Sequence, residues 1–160
     1  MRDTSAVEAD RTANAGSQTF SRIVGTGRIG SAGDDEQLEQ RTMKVTIKRV
    51  YEPAVGEDGV RVLIDRLWPR GLSKAAAGVD VWLKDLAPSH ELRRWFDHEA
   101  EKWPEFQRRY ASELDGAGEA VARLRALAAR GRVTLLFGSR ELVYNNATAL
   151  AAYLASWDRR

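Results

Sequence analysis

Val133-Thr134-Leu135-Leu136-Phe137 is a continuous aliphatic and β-branched run between Gly131 and Gly138, and no other stretch limits the architecture as much. A strand with one wet face alternates polar and apolar residues, whereas a run without alternation belongs to a strand covered on both faces. Five residues are too few for a buried helix. Strands of this kind lie inside parallel or mixed sheets whose faces carry helices, so the rest of the chain must supply partner strands and covering helices.

Both are readable. Val45 and Ile47 alternate with Lys44, Thr46 and Lys48, which predicts a first strand; after a polar turn containing Pro53, Gly56, Asp58 and Gly59, Val60-Arg61-Val62-Leu63-Ile64 predicts a second. Val79, Val81 and Leu83 alternate with Asp80, Trp82 and Lys84 and predict a third, preceded by a short helical turn from Ser73 to Gly78. Ser89 reads as the cap of a helix carrying Leu92, Trp95 and Phe96 on one face. Pro104 fits only the first turn of the next helix, whose Trp103, Phe106, Tyr110 and Leu114 recur at helical spacing as a core stripe. Gly116 and Gly118 break the chain before a third amphipathic helix with Val121, Leu124 and Leu127, and Asn145 caps a last helix carrying Ala147, Leu150, Leu154 and Trp157. The order strands, helices, strand, helix, without internal repeats, predicts an α/β fold: a single layered domain with a small, partly parallel central sheet flanked by helices.

Residues 1–42 do not join it. They are rich in Ser, Thr, Gly, Asp and Glu, carry five arginines against seven carboxylates, and offer only Ile23-Val24 as an apolar cluster. Such a segment cannot bury enough surface to offset its ordering entropy, so a disordered N-terminal extension is expected over 1–42 and a single α/β domain over 43–160, with Met43 a candidate start.

Composition narrows the function classes. The net charge of +2 arises from 25 Lys and Arg against 23 Asp and Glu, a mixed surface unlike the concentrated basic field of general nucleic-acid binders. Without cysteine there is no thiolate nucleophile, disulfide or zinc-thiolate site, which suits the cytoplasm. No apolar run approaches the roughly 20 residues of a membrane span, and MRDTSAVEAD lacks signal-peptide order; no membrane partner is expected.

Chemistry concentrates where strands end, since open α/β sheets bind ligands beyond the carboxyl ends of their strands. Ile64 is followed by Asp65-Arg66-Leu67-Trp68-Pro69-Arg70-Gly71, and Phe137 by Gly138-Ser139-Arg140-Glu141 with Asn145 beyond. If the two strands are parallel neighbours, these loops face each other. Guanidinium forks at Arg66, Arg70 and Arg140 suit phosphate or carboxylate, Trp68 supplies a wall, and Asp65, Asp85 or Glu141 are the catalytic candidates for orientation or proton transfer. Lys84 and Ser139 complete the candidate ligand-binding set with Asn145. A structural reading competes: Asp65 and Arg66 as surface ion-pair members, Trp68 as core filler, Ser139 and Asn145 as caps. His90 and His98 lack the spacing of a zinc motif, so no metal is expected. Arg93-Arg94 and Arg108-Arg109, interleaved with Glu91, Glu105 and Glu113, read as solvated helix faces. No glycine-rich dinucleotide loop is present, and no cofactor is expected.

The wording of Arg61 through Leu72, of Trp82-Leu83-Lys84-Asp85-Leu86-Ala87-Pro88-Ser89, of Leu92-Arg93-Arg94-Trp95-Phe96 with His98, and of Arg132-Val133-Thr134-Leu135-Leu136 resembles the YeaO-like branch of the domain-of-unknown-function 488 family, from about Lys44 to Trp157. The resemblance implies a small bacterial cytosolic α/β protein and lends no settled activity. Members of this branch often carry an Ala-Arg-Asp step after the last strand and histidines around the following Asn; here the residues are Gly138-Ser139-Arg140-Glu141 and Tyr144-Asn145-Asn146-Ala147. Other branches carry a Cys and His signature that a chain without cysteine cannot use. Two functions stand as expectations: an arginine-lined pocket for a small anionic metabolite or nucleotide-like ligand, enzymatic or not, and a non-catalytic interaction or regulatory module reading protein or nucleic acid through exposed arginines. A closed concave site lined by Arg66, Arg70 and Arg140 would favour the first; a flat basic face of Arg93, Arg94, Arg108 and Arg109 would favour the second.

Overall fold

The computed structural model describes residues 44–160, and the expectations for residues 1–42 and for Met43 lie outside the described residues. Four strands, β1 (Val45–Arg49), β2 (Val60–Leu63), β3 (Val81–Trp82) and β4 (Val133–Phe137), form one sheet in the order β1-β4-β2-β3. β4 pairs with both β1 and β2, and its side chains enter cores on both faces of the sheet, so all five of its residues are buried. The expected sheet was partly parallel; all three pairings are parallel, because each connection crosses back over the domain before the next strand starts.

The helices are α1 (Lys74–Ala77), α2 (His90–Phe96), α3 (Trp103–Gly116), α4 (Gly118–Arg130) and α5 (Asn146–Trp157). Their starts follow local chemistry. Ser73, Ser89 and Asn145 each accept from the N–H three residues on, satisfying donors that the helix leaves free. Ser89 also donates its hydroxyl to Glu113, which ties the start of α2 to α3. Gly131 ends α4 in an extended conformation, not the left-handed one a helix-terminal glycine often adopts.

Alternate residues of a strand face opposite sides, and the two sides differ here. Val62, Ile64, Leu135 and Phe137 join the main core with Phe96, Phe106, Tyr110, Leu114, Leu124, Leu150 and Leu154 of α2 to α5. Phe96 and Phe106 stack with ring centres 4.2 Å apart, which places the aromatic stripe in that core. Leu63 and Leu136 face a smaller core with Val50 and Ala77, closed by Trp68, Leu72, Val79 and Trp82. Four helices therefore cover one face, while α1 and the segment after β2 cover the other.

A polar network fills the rest of that thinner side. The buried Arg61 guanidinium donates to Asp58 and to the carbonyls of Gly78 and Ala77, at 3.0 and 3.1 Å for the last two. Lys48 reaches both Asp58 oxygens at 3.3 Å, and the buried Thr134 hydroxyl donates to the Asp58 carbonyl at 2.6 Å. Among the described residues no helix is long and apolar enough to cross a membrane.

Candidate functional site

Parallel pairing puts every strand's carboxyl end on one edge of the sheet, and β2 and β4 are adjacent, so the segments leaving them run side by side. Asp65 joins them. One carboxylate oxygen accepts from the Gly138 N–H at 2.8 Å and the other from the Asn146 amide at 2.9 Å. A side chain on residue 138 would begin 3.1 Å from the Asp65 carboxylate, which would have to give by a few tenths of an ångström.

The neighbouring backbone is pinned. Trp82 Nε1 donates to the Asp65 carbonyl and Trp68 Nε1 to the Leu72 carbonyl, both at 2.7 Å, and the two indoles meet edge to face at 5.4 Å. Tyr51 donates to the Arg70 carbonyl at 3.0 Å. Arg49 donates to the carbonyls of Ser139 and Gly138, at 2.9 and 3.3 Å. These bonds fix the two segments in place, and a cleft of about 650 Å³ lies between them and α2, within the usual size of small-molecule sites.

Its floor is apolar, from buried Ala87, Pro88, Phe96 and Phe106 with Pro69. Its rim is cationic: Arg66, Arg70, Arg93 and Arg94 all line it and are exposed. Arg66 makes one long contact, 3.4 Å to the Ala87 carbonyl, and the other three side chains have no hydrogen-bond or ion-pair partner among the described residues. Elsewhere Arg61 is paired with Asp58, and Arg108 and Arg109 with Glu105, while Arg49, Arg123, Arg125, Arg130, Arg132, Arg140, Arg159 and Arg160 have no ion-pair partner among the described residues either; the four on the rim differ in sharing one concave surface. The two guanidinium groups hold the Glu105 carboxyl down to about 2.

Of the residues singled out from sequence, Asp65, Arg66, Trp68, Arg70, Ser139 and Asn145 line the cleft. Their polar atoms are not equally free. Asp65 is spent on bridging the segments, Ser139 Oγ accepts from the Glu141 N–H at 3.0 Å, and Asn145 is buried as the cap of α5, its amide donating to the Glu141 carbonyl. Lys84, Asp85, Arg140 and Glu141 lie outside the lining. The Lys84 ammonium sits 4.1 Å from the centre of the Trp82 ring, and Asp85 belongs to the 3-10 turn Lys84–Leu86. Glu141 is turned back on its own loop, where the N–H groups of Val143 and Tyr144, and more weakly the charge of His98, hold its carboxyl below the usual carboxylate range against the opposing effect of burial. Tyr110, buried beneath the site, donates to the Leu86 carbonyl; burial, then the charges of Asp65 and Glu113, pushes its hydroxyl above the ordinary phenol range.

The cleft also takes residues that periodicity did not single out: His90, Arg93, Arg94, Asp97, His98 and Asn146. Arg93 and Arg94 read as solvated from their charge pattern, yet α2 follows β3, whose carboxyl end shares the edge. That succession was the available signal. Asp97 and His98 carry left-handed backbone, φ 44° and 56°, a region in which Asp and His are enriched but still uncommon.

Asp65→Ala should leave the Gly138 N–H without its partner and cost about 2 kcal/mol, measured by urea unfolding. A loss under about 0.5 kcal/mol would mean the bridge is not what holds the segments together.

The fold and the site define a class: a small all-parallel α/β domain with a cationic cleft at the carboxyl edge of its sheet. The chain belongs to the family described as the inactive DUF488-N3 subclade, whose model matches residues 44–159. Among its relatives is the "Uncharacterized protein Rv3073c" of Mycobacterium tuberculosis (strain ATCC 25618 / H37Rv), 43% identical over 114 residues that cover 71% of this chain and 96% of the relative. The "Uncharacterized protein YeaO" of Escherichia coli (strain K12) is 40% identical over 114 residues, 71% of this chain and 99% of the relative. No solved structure matches.

Proposed function

We propose that this chain is a binding protein for a small anionic metabolite or nucleotide-like ligand, which it holds by a phosphate or carboxylate group in the cleft between Asp65–Arg70, α2 and Gly138–Asn146, without transforming it. The observation that carries the reading is the set of four arginines on one concave surface that form no ion pair among the described residues, in excess of the two carboxylates of the lining, Asp65 and Asp97. Guanidinium groups hydrogen-bond oxyanions in a planar fork, and an unneutralised cluster at the carboxyl edge of a parallel sheet is where such a ligand is held.

Binding without reaction accords with the word "inactive" in the family's description, with the absence of cysteine and with the hydrogen bonds that occupy Asp65 and Ser139. A cytoplasmic setting suits a chain without cysteine. The rival reading, a flat basic face for protein or nucleic acid, needs Arg93, Arg94, Arg108 and Arg109 to act together. It is weakened because the first two line the cleft and the last two are bound to Glu105.

A thermal-shift screen tests the proposal with inorganic phosphate, nucleoside monophosphates and dicarboxylates. A ligand at about 100 times its Kd adds about 2.7 kcal/mol, a rise of several degrees for a domain this size. The variant Arg66→Ala with Arg70→Ala should lose most of that rise while keeping its ligand-free midpoint. Equal shifts in wild type and variant would remove these arginines from the site.

A further inference from the structure

We propose that His98 is a fifth anion-binding group of the cleft, donating from Nε2 only as the imidazolium, so that the site favours dianionic phosphomonoesters and takes up a proton with them. The inference rests on the cleft being an anion site and adds its ligand class and its proton linkage.

The backbone places His98. Asp97 closes α2 by donating its N–H to the Arg93 carbonyl at 3.0 Å, and Asp97 and His98 are consecutive left-handed residues, a conformation that side chains rarely adopt. The reversal brings the imidazole from the end of α2 to the segment after β4, with Nδ1 3.3 Å from the Tyr144 carbonyl and the ring centre 5.6 Å from that of Phe96. A carbonyl oxygen only accepts, so the hydrogen lies on Nδ1, and Nε2 of the neutral ring presents a lone pair. A lone pair repels an anion; protonation turns it into a charged donor.

The charges around His98 act in both directions. Arg93 and Arg94 on α2 and Arg66 and Arg70 after β2 oppose its protonation. Asp97 and Glu99 beside it favour protonation, as does Glu141 after β4, whose carboxylate responds to the His98 charge. Asp65 is already held by two donors, and His90 is the other titratable group of the lining. Whatever their balance in the empty cleft, a bound dianion favours the imidazolium, and by reciprocity the imidazolium favours the dianion by the same factor. Four guanidinium groups and an imidazolium, set against the Asp65 and Asp97 carboxylates of the same lining, still leave a surplus of positive charge that a ligand with a single carboxylate does not neutralise.

Sulfate is the probe, because it stays a dianion between pH 6 and 8 and leaves only the protein to titrate. Calorimetric titration of the full chain, in two buffers of different ionisation enthalpy, should show its Kd falling about three- to tenfold from pH 8 to pH 6, with net proton uptake. Acetate should bind at least about tenfold more weakly. His98→Asn, which tolerates left-handed backbone and does not titrate, should flatten the pH dependence, and His90→Asn should keep it. Sulfate binding that responds to Arg66→Ala but shows no proton uptake in wild type overturns the role of His98 and leaves the anion site standing. A pH slope that survives in His98→Asn, or acetate binding as tight as sulfate, overturns that role equally. No sulfate binding at any pH, with no phosphate-induced thermal shift, removes both readings. If His98→Asn does not fold, the absence of proton uptake in wild type still overturns the role of His98, and loss of the pH dependence in His90→Asn would overturn it by assigning the proton to His90.

Discussion

Arg61→Ala should lower the unfolding free energy by about 3–5 kcal/mol, because it strands a buried carboxylate. Arg61 is 3% exposed and Asp58 7%. The guanidinium bonds Asp58 and also the Ala77 and Gly78 carbonyls, so it neutralises a charge and closes the end of α1 together. Alanine would leave those carbonyls without their donor, and Lys48 and the Val55 N–H as the remaining donors to Asp58.

The pH dependence of the effect carries a sign. Burial pushes the Asp58 carboxyl up, but the Val55 N–H, Arg61 and Lys48 together overcome it and hold the group below its usual range. A carboxyl with a folded-state pKa below its unfolded value of about 3.9 contributes stability that is present above that pH and lost as pH falls through the lower folded value. Urea unfolding should therefore show the gap between wild type and Arg61→Ala at full size at pH 7 and narrowed below about pH 4. A constant gap from pH 7 to pH 3 would assign the loss to packing alone.

Gly59→Ala should cost about 3 kcal/mol, part from backbone strain of 1–3 kcal/mol and part from a lost strand rung. Gly59 has φ 66° and ψ −138°, a region open only to glycine. A Cβ there would stand 2.1 Å from the Arg132 carbonyl oxygen, and this oxygen accepts the Val60 N–H at 3.0 Å where β2 first meets β4. The methyl group must separate the strands at that point. Gly71→Ala is the control, with φ 79° and open space around the added carbon, and should cost only about 1 kcal/mol. Chemical unfolding of both variants reads the difference directly; equal losses would mean that dihedral strain, not the close approach of β4, decides the effect.

Much of the domain was legible because its elements are decided by neighbours in sequence. Ser89 and Asn145 cap helices through N–H groups three residues away, Pro104 sits in a first turn, and Val133–Phe137 is unbroken because both faces of the sheet are covered there. The segments Asp65–Gly71 and Gly138–Asn145 stood out because charged and aromatic residues followed directly on apolar strands.

The other half of the cleft was legible only in the succession of β3 and α2, not in its residues. Arg93 and Arg94 carry the charge pattern of a wet helix face, and no local pattern separates an arginine facing open water from one on the rim of a concave surface. Arg140 and Glu141 looked equivalent to Arg66 and Asp65, yet Glu141 folds back onto its own loop and Arg140 lies outside the lining. Asp58 and Arg61 read as turn and strand residues, and their burial as a pair depends on α1 closing over them.

By itself, then, the sequence determined the elements, the layered α/β class and the two polar segments at strand ends, since propensity, capping and periodicity act within a few residues. Only the tertiary structure decided that β4 lies between β1 and β2, that every strand runs the same way, and that α2 completes the cleft. Those outcomes depend on contacts such as Asp65 to Gly138, 73 residues apart in the chain, whose partners are chosen by crossovers that carry no local signature.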